Sequence, residues 1–78
     1  MEKLYNLITM GVSGLSKEDL GKKLREAREK QNMTQEDVAK KAGVNTNYYA
    51  VIERGEVEAR AEKLTRIFEA LGIKLSFP

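Results

Sequence analysis

Residues 34 to 55, Thr-Gln-Glu-Asp-Val-Ala-Lys-Lys-Ala-Gly-Val-Asn-Thr-Asn-Tyr-Tyr-Ala-Val-Ile-Glu-Arg-Gly, decide the fold. Thr34 with Asp37 three places on is a helix-start signal, because hydroxyl and carboxylate can satisfy amides that a first turn leaves unpaired. Gly43 ends that helix, since glycine tolerates the left-handed conformation found just past a helix C-terminus. Asn45 or Thr46 can cap a second helix, which Gly55 closes. Val38, Val44, Tyr49 and Ile52 point inward and fix the angle between the two helices. Ala39 is small where they cross most closely.

Outward from that stretch, the chain continues in the same manner. Ser16 with Asp19 forms a second start signal, and Leu20, Leu24 and Ala27 make one apolar stripe running to about Gln31. Residues 61–71 carry Leu64, Ile67, Phe68 and Leu71, a further helix that Gly72 stops. Near the start, Leu4, Leu7 and Ile8 fall at helical spacing ahead of the loop Gly11-Val12-Ser13-Gly14. The tail alternates instead, with Ile73, Leu75 and Phe77 on one side, which is the strand period. A lone strand has no hydrogen-bonding partner in a helical domain, so it frays or pairs with its copy in a second chain. The expected division is an N-terminal apolar segment (1–15), a helical domain (16–72) and a C-terminal strand (73–78). The fold class is all-α: a compact unit of four to five helices, with the strand pairing across a dimer.

Composition narrows the chemistry. Seventy-eight residues supply one domain with one modest core. With no cysteine and no histidine, thiolate metal sites, disulfides and imidazole catalysis are excluded. Glu36, Asp37 and Glu56 sit on helix starts and loops, where capping accounts for them. No nucleophile stands beside a base and no glycine loop cradles a phosphate, so neither an enzyme nor a cofactor is expected. No apolar run reaches membrane-spanning length, and Met1-Glu2-Lys3 does not begin a secretory signal, so a cytoplasmic location is expected. Fourteen basic against twelve acidic residues leave +2. That balance permits a nucleic-acid partner without requiring one.

Taken together, the chain resembles the Cro/phage-repressor (XRE-like) helix-turn-helix family over roughly residues 19 to 73. The resemblance is carried by Leu20 to Arg28, Thr34-Gln35-Glu36-Asp37-Val38-Ala39, Gly43-Val44 and Ile52-Glu53-Arg54-Gly55, in that order. It implies a lambda-repressor-like domain whose third helix enters the DNA major groove. It also implies that Arg28 and Glu53 form a partly buried ion pair locking the first helix to the reading helix. The alternative for those two is a pair of solvated charges worth little. Tyr49 departs from the family, which usually has an aliphatic residue there. A tyrosine fits if its hydroxyl reaches a partner or the surface.

The exposed face around the third helix offers Asn45, Thr46, Asn47, Tyr48, Ala50 and Val51. By resemblance, Thr46, Asn47 and Val51 approach base edges, with Asn45 beside them. Asparagine suits adenine, while valine and the threonine methyl suit thymine. Gln35, aided by the helix dipole, is the leading phosphate contact, followed by Tyr48, Lys40 and Arg54, with Thr34 at the same helix start. The expected partners are double-stranded DNA and a second copy of the chain, with no membrane and no small-molecule effector. The expected role is a transcriptional regulator, most simply a repressor, on a pseudo-palindromic operator. Two alternatives stay open. The ending Leu71-Gly72-Ile73-Lys74-Leu75 is similar to that of antitoxin repressors, which bind a toxin as well as DNA. The residues around Leu4, Leu7 and Ile8 would then face a toxin or a dimer partner, or simply pack on the core. The domain could also be a protein-interaction module without DNA binding.

Overall fold

Helix starts and stops place each described element of the chain. The computed structural model describes residues 16–73. Among these it contains four helices and no strand: α1 (Lys17–Lys30), α2 (Gln35–Ala42), α3 (Thr46–Glu53) and α4 (Ala61–Ala70).

Each start is chemically distinct. The Ser16 hydroxyl accepts from the Asp19 amide at 3.0 Å, and Glu18 and Asp19 complement the positive end of the α1 dipole. At α2 the reciprocal pair forms: Thr34 Oγ1 accepts from the Asp37 N–H, and the Thr34 N–H donates to Asp37 Oδ2, both at 2.9 Å. Those bonds hold the Asp37 carboxyl below the usual carboxylate range. At α4 the N-cap residue Arg60 makes no side-chain cap. The Arg60 N–H donates instead to the Tyr48 hydroxyl at 3.3 Å, so α3 helps to start α4.

The helix ends are alike. Asn32, Gly43, Gly55 and Gly72 all have positive φ. In each case the next amide reaches back to close the last turn, as when the Val44 N–H donates to Ala39 O at 2.9 Å. Asn32, at φ 57, is the one non-glycine among them, and asparagine is the residue that tolerates this region best after glycine. Gln31 adds a tertiary tie, donating to Leu71 O at 2.6 Å and so joining the end of α1 to the end of α4.

The interior is one apolar cluster. Leu20 and Leu24 from α1, Val38, Ala39 and Ala42 from α2, Tyr49 and Ile52 from α3, and Leu64, Ile67 and Phe68 from α4 converge there. Helix α2 packs on α3 and α4, and α1 packs on α3. Leu24, Val38, Ile52, Leu64 and Ile67 are less than 2% exposed, and each contributes about 1.5–3 kcal/mol by leaving water.

Of the alternating tail, only Ile73 lies within the described residues. Ile73 does not extend as a strand. Its N–H donates to Phe68 O at 2.9 Å, closing α4, and its side chain packs against the core. That amide is therefore spent within its own chain. Leu75, Phe77 and the expected helix in residues 1–10 lie outside the described residues. No helix among the described residues is long and apolar enough to cross a membrane.

Candidate nucleic-acid interface

The turn between α2 and α3 sets the geometry of the site. Gly43 at φ 72 reverses the chain, and Asn45 then caps α3, its Oδ1 accepting from the amides of Asn47 at 2.8 Å and Tyr48 at 3.3 Å. Asn45, rather than Thr46, is thus the cap. Its oxygen is committed to the backbone, which leaves only its amide N–H groups for an outside partner.

Helix α3 has a fixed side and an open side. Tyr49, Ala50 and Ile52 are buried, Thr46 and Asn47 are exposed, and Val51 is half-buried at the boundary. Ala50 therefore does not belong to the outer face, contrary to the sequence reading; at 8% exposure it packs inward. The side chains of Thr46 and Asn47 make no hydrogen bond among the described residues.

The fixed side ends in a polar joint. Arg28 Nε donates to Glu53 Oε2 at 2.6 Å and Nη2 to Oε1 at 3.1 Å, while Nη1 donates to Met33 O at 2.9 Å. The two side chains are 13% and 3% exposed, so this is a shielded, bidentate pair rather than two solvated charges. Gln35 Nε2 adds a bond to Glu53 Oε1 at 3.1 Å. Burial by itself would raise the Glu53 carboxyl, but the donors around it, Arg28 foremost, outweigh burial and hold it below its ordinary value. The same bonds raise Arg28.

Tyr49 closes this joint in an unexpected way. Its hydroxyl reaches neither the surface nor a hydrogen-bond partner of ordinary geometry. The expectation that one of the two would accommodate it is corrected. Burial pushes the phenol far up, and the nearby Glu53 carboxylate pushes it further. The phenol dipole still favours the Glu53 charge from close by, without a formed bond.

Gly21 makes the joint possible. A Cβ built there would overlap the Glu53 carbonyl oxygen and lie 2.7 Å from Ile52 O. The α1 backbone therefore rests directly on the C-terminal end of α3. Gly55, at φ 75, faces α1 in the same way: a Cβ would lie 2.9 Å from the Glu18 Cα.

The residues expected at phosphates already have partners within the chain. Thr34 caps α2 and Gln35 donates to Glu53. The Tyr48 hydroxyl accepts from Arg60, and Lys40 lies 4.0 Å from Glu36. Arg54 pairs with Glu56, each shifting the other toward its charged form. Glu56 is thus an ion-pair partner, not the capping residue that its loop position suggested. Thr34, Gln35 and Tyr48 each keep a free donor hydrogen, so their pairing does not exclude a phosphate.

Gln35 and Arg54 line one groove of about 450 Å³ together with Glu18, Lys22, Arg25, Glu53 and Glu56. Lys22 and Arg25 were missed in the sequence. Their spacing of three on an exposed helix face is a usable signal, but α1 gave no reason to prefer them to its other basic residues. Among the described residues no cluster of acidic side chains could hold a metal ion.

Comparison with known proteins agrees with this geometry. A family model described as helix-turn-helix matches residues 24–77, spanning all of α2, α3 and α4. No curated protein and no solved structure matches the chain.

Proposed function

Because the chain belongs to the Cro/phage-repressor (XRE-like) helix-turn-helix family of DNA-binding transcription regulators, we propose that it is a repressor that binds a pseudo-palindromic operator as a homodimer. The observation that carries the reading is the open end of α3. Thr46 and Asn47 are exposed and unbonded there, on a helix whose opposite side is fixed to α1 by Arg28, Glu53 and Gly21. A rigid helix with free hydrogen-bonding groups on one edge is what reading a base requires.

Two copies are needed for a physical reason. Helix α3 has eight residues, so it is about 12 Å long and spans about three to four base pairs. One such contact specifies too little sequence. A two-fold pair places two of them in successive major grooves, about 34 Å apart. Asn47 suits adenine, and Thr46 with Val51 suits thymine methyls, so A·T pairs are favoured at the contacted positions. Asn45, Thr34, Gln35, Lys40, Tyr48 and Arg54 would supply supporting contacts, mostly to phosphates.

The competing reading is an interaction module that has lost DNA binding. It draws on one observation: each proposed phosphate contact already has an internal partner. Selection from random duplexes, followed by measurement of protein-to-DNA stoichiometry in solution, separates the two. Paired half-sites one helical turn apart, rich in A·T and occupied by two chains, are expected. Failure to enrich any sequence at low salt would favour the interaction module, and guanine-rich half-sites would overturn the assigned reading face.

A further inference from the structure

Arg54 and Glu56 flank Gly55 at the C-terminal end of α3. Arg54 Nε donates to Glu56 Oε2 at 2.8 Å and Nη2 to Oε1 at 3.2 Å. This two-bond fork is the geometry that a guanidinium also uses to hold a phosphate. Both side chains are 54% exposed, so the pair is solvated and adds little to stability. Its location gives it a consequence. The only charged residue within α3 is Glu53, which Arg28 already holds. Arg54 follows Glu53 directly, and it lines the same groove as Gln35, Lys22 and Arg25. A phosphate arriving there meets a guanidinium whose fork is filled by a carboxylate.

Resting on the DNA-binding reading above, we infer that Glu56 is an internal competitor for the phosphate at Arg54 and sets the overall affinity for duplex DNA. Breaking an exposed pair costs little, so the device lowers affinity without abolishing it. Phosphate contacts carry no base information. The competitor therefore weakens binding to all sequences by the same factor and leaves the preference supplied by Thr46 and Asn47 untouched. Glu18, which also lines the groove, adds to the negative field but makes no bond to Arg54.

The test is Glu56→Gln, with affinity measured by fluorescence anisotropy on a selected operator and on a random duplex across a salt series. The substitution keeps the backbone bond from residue 56 to Val51 O, and circular dichroism checks that the fold is retained. Binding is expected to tighten about two- to fivefold on both duplexes, with a salt slope steeper by up to about 0.9 as one more phosphate is neutralised. Arg54→Gln should weaken wild-type binding slightly and should erase the whole gain in the Glu56→Gln background. Operator binding by the wild type with no tightening in Glu56→Gln overturns this inference alone. So does a gain that survives loss of Arg54, because it would reflect net charge rather than competition. Absence of binding to any duplex by both proteins overturns the DNA-binding reading and this inference with it.

Discussion

At its N-terminal end α3 is held by its own asparagine cap and one tyrosine hydroxyl; at its C-terminal end it is held by two other helices, α1 and α2. Asn45 caps the first turn, and Tyr48 reaches the amide of Arg60. At the far end Arg28, Gln35 and the bare backbone of Gly21 converge on Glu53. The difference separates two jobs. Anchoring is concentrated where no base contact is proposed, which leaves the first turn of α3 free to present Thr46 and Asn47. Substitutions at the two ends should therefore fail in different ways: loss of folding at one, loss of sequence preference at the other.

Arg28→Ala is the hardest strike on the anchored end. It leaves the Glu53 carboxylate buried without its guanidinium and should destabilise the domain by about 2–4 kcal/mol in urea denaturation. Its pH dependence has a definite sign. In the wild type the Glu53 carboxyl lies below its ordinary 4.5, so its stabilisation is complete above that pH and is lost as the pH falls through the lower folded value. Without Arg28, burial dominates and raises the carboxyl, so the variant's deficit should narrow as the medium is acidified toward pH 4.5. A deficit that stays constant with pH would break the assignment of Glu53 as the anchored charge.

Gly21→Ala attacks the same end through shape. The added methyl meets backbone rather than a flexible side chain, so α1 must shift away from α3, at about 1–3 kcal/mol measured by thermal unfolding. An unchanged melting temperature would show that the helices do not rest on each other there. Asn45→Ala probes the other end. Losing the cap should cost about 1 kcal/mol of stability, and it should weaken operator binding because the first turn of α3 frays. Equal loss of binding to operator and random duplex would place Asn45 outside the reading surface. Tyr49→Phe is the mildest change. It removes a buried hydroxyl that has no partner, so stability should stay level or rise by up to about 1 kcal/mol in the same urea assay. A net loss of stability would show that the phenol's support of the Glu53 charge outweighs the cost of burying its hydroxyl.

The helical plan was legible because its punctuation is chemical and local. Ser16, Thr34, Asn45, Gly43, Gly55 and Gly72 mark starts and stops with residues whose preferences scarcely depend on context. Asn32 was not recognised as a stop, since asparagine signals caps and loops as readily as left-handed backbone. The first residue of the tail is a related case. Alternation at Ile73 satisfies a strand pattern, yet the same amide can close a helix, and in the described chain it does. Gly21 was invisible because a glycine inside a helical stripe marks close packing only once the neighbouring backbone is known. At the site, the Arg28–Glu53 pair was legible through the resemblance, but the internal partners of the phosphate candidates were not. Nothing local links Gln35 to Glu53 or Tyr48 to Arg60, and the Arg54–Glu56 pair is set by the turn at Gly55. Ala50 shows the limit of face assignment on a helix of eight residues, where one position decides inside from outside.

Asn47→Ala, assayed in parallel for unfolding and for binding to a selected operator and a random duplex, tests whether the first turn of α3 reads bases. Stability within about 0.5 kcal/mol of the parent is expected, with a loss of about 1–3 kcal/mol on the operator and little change on random DNA. A folded Asn47→Ala protein that binds the operator as tightly as its parent would contradict that assignment.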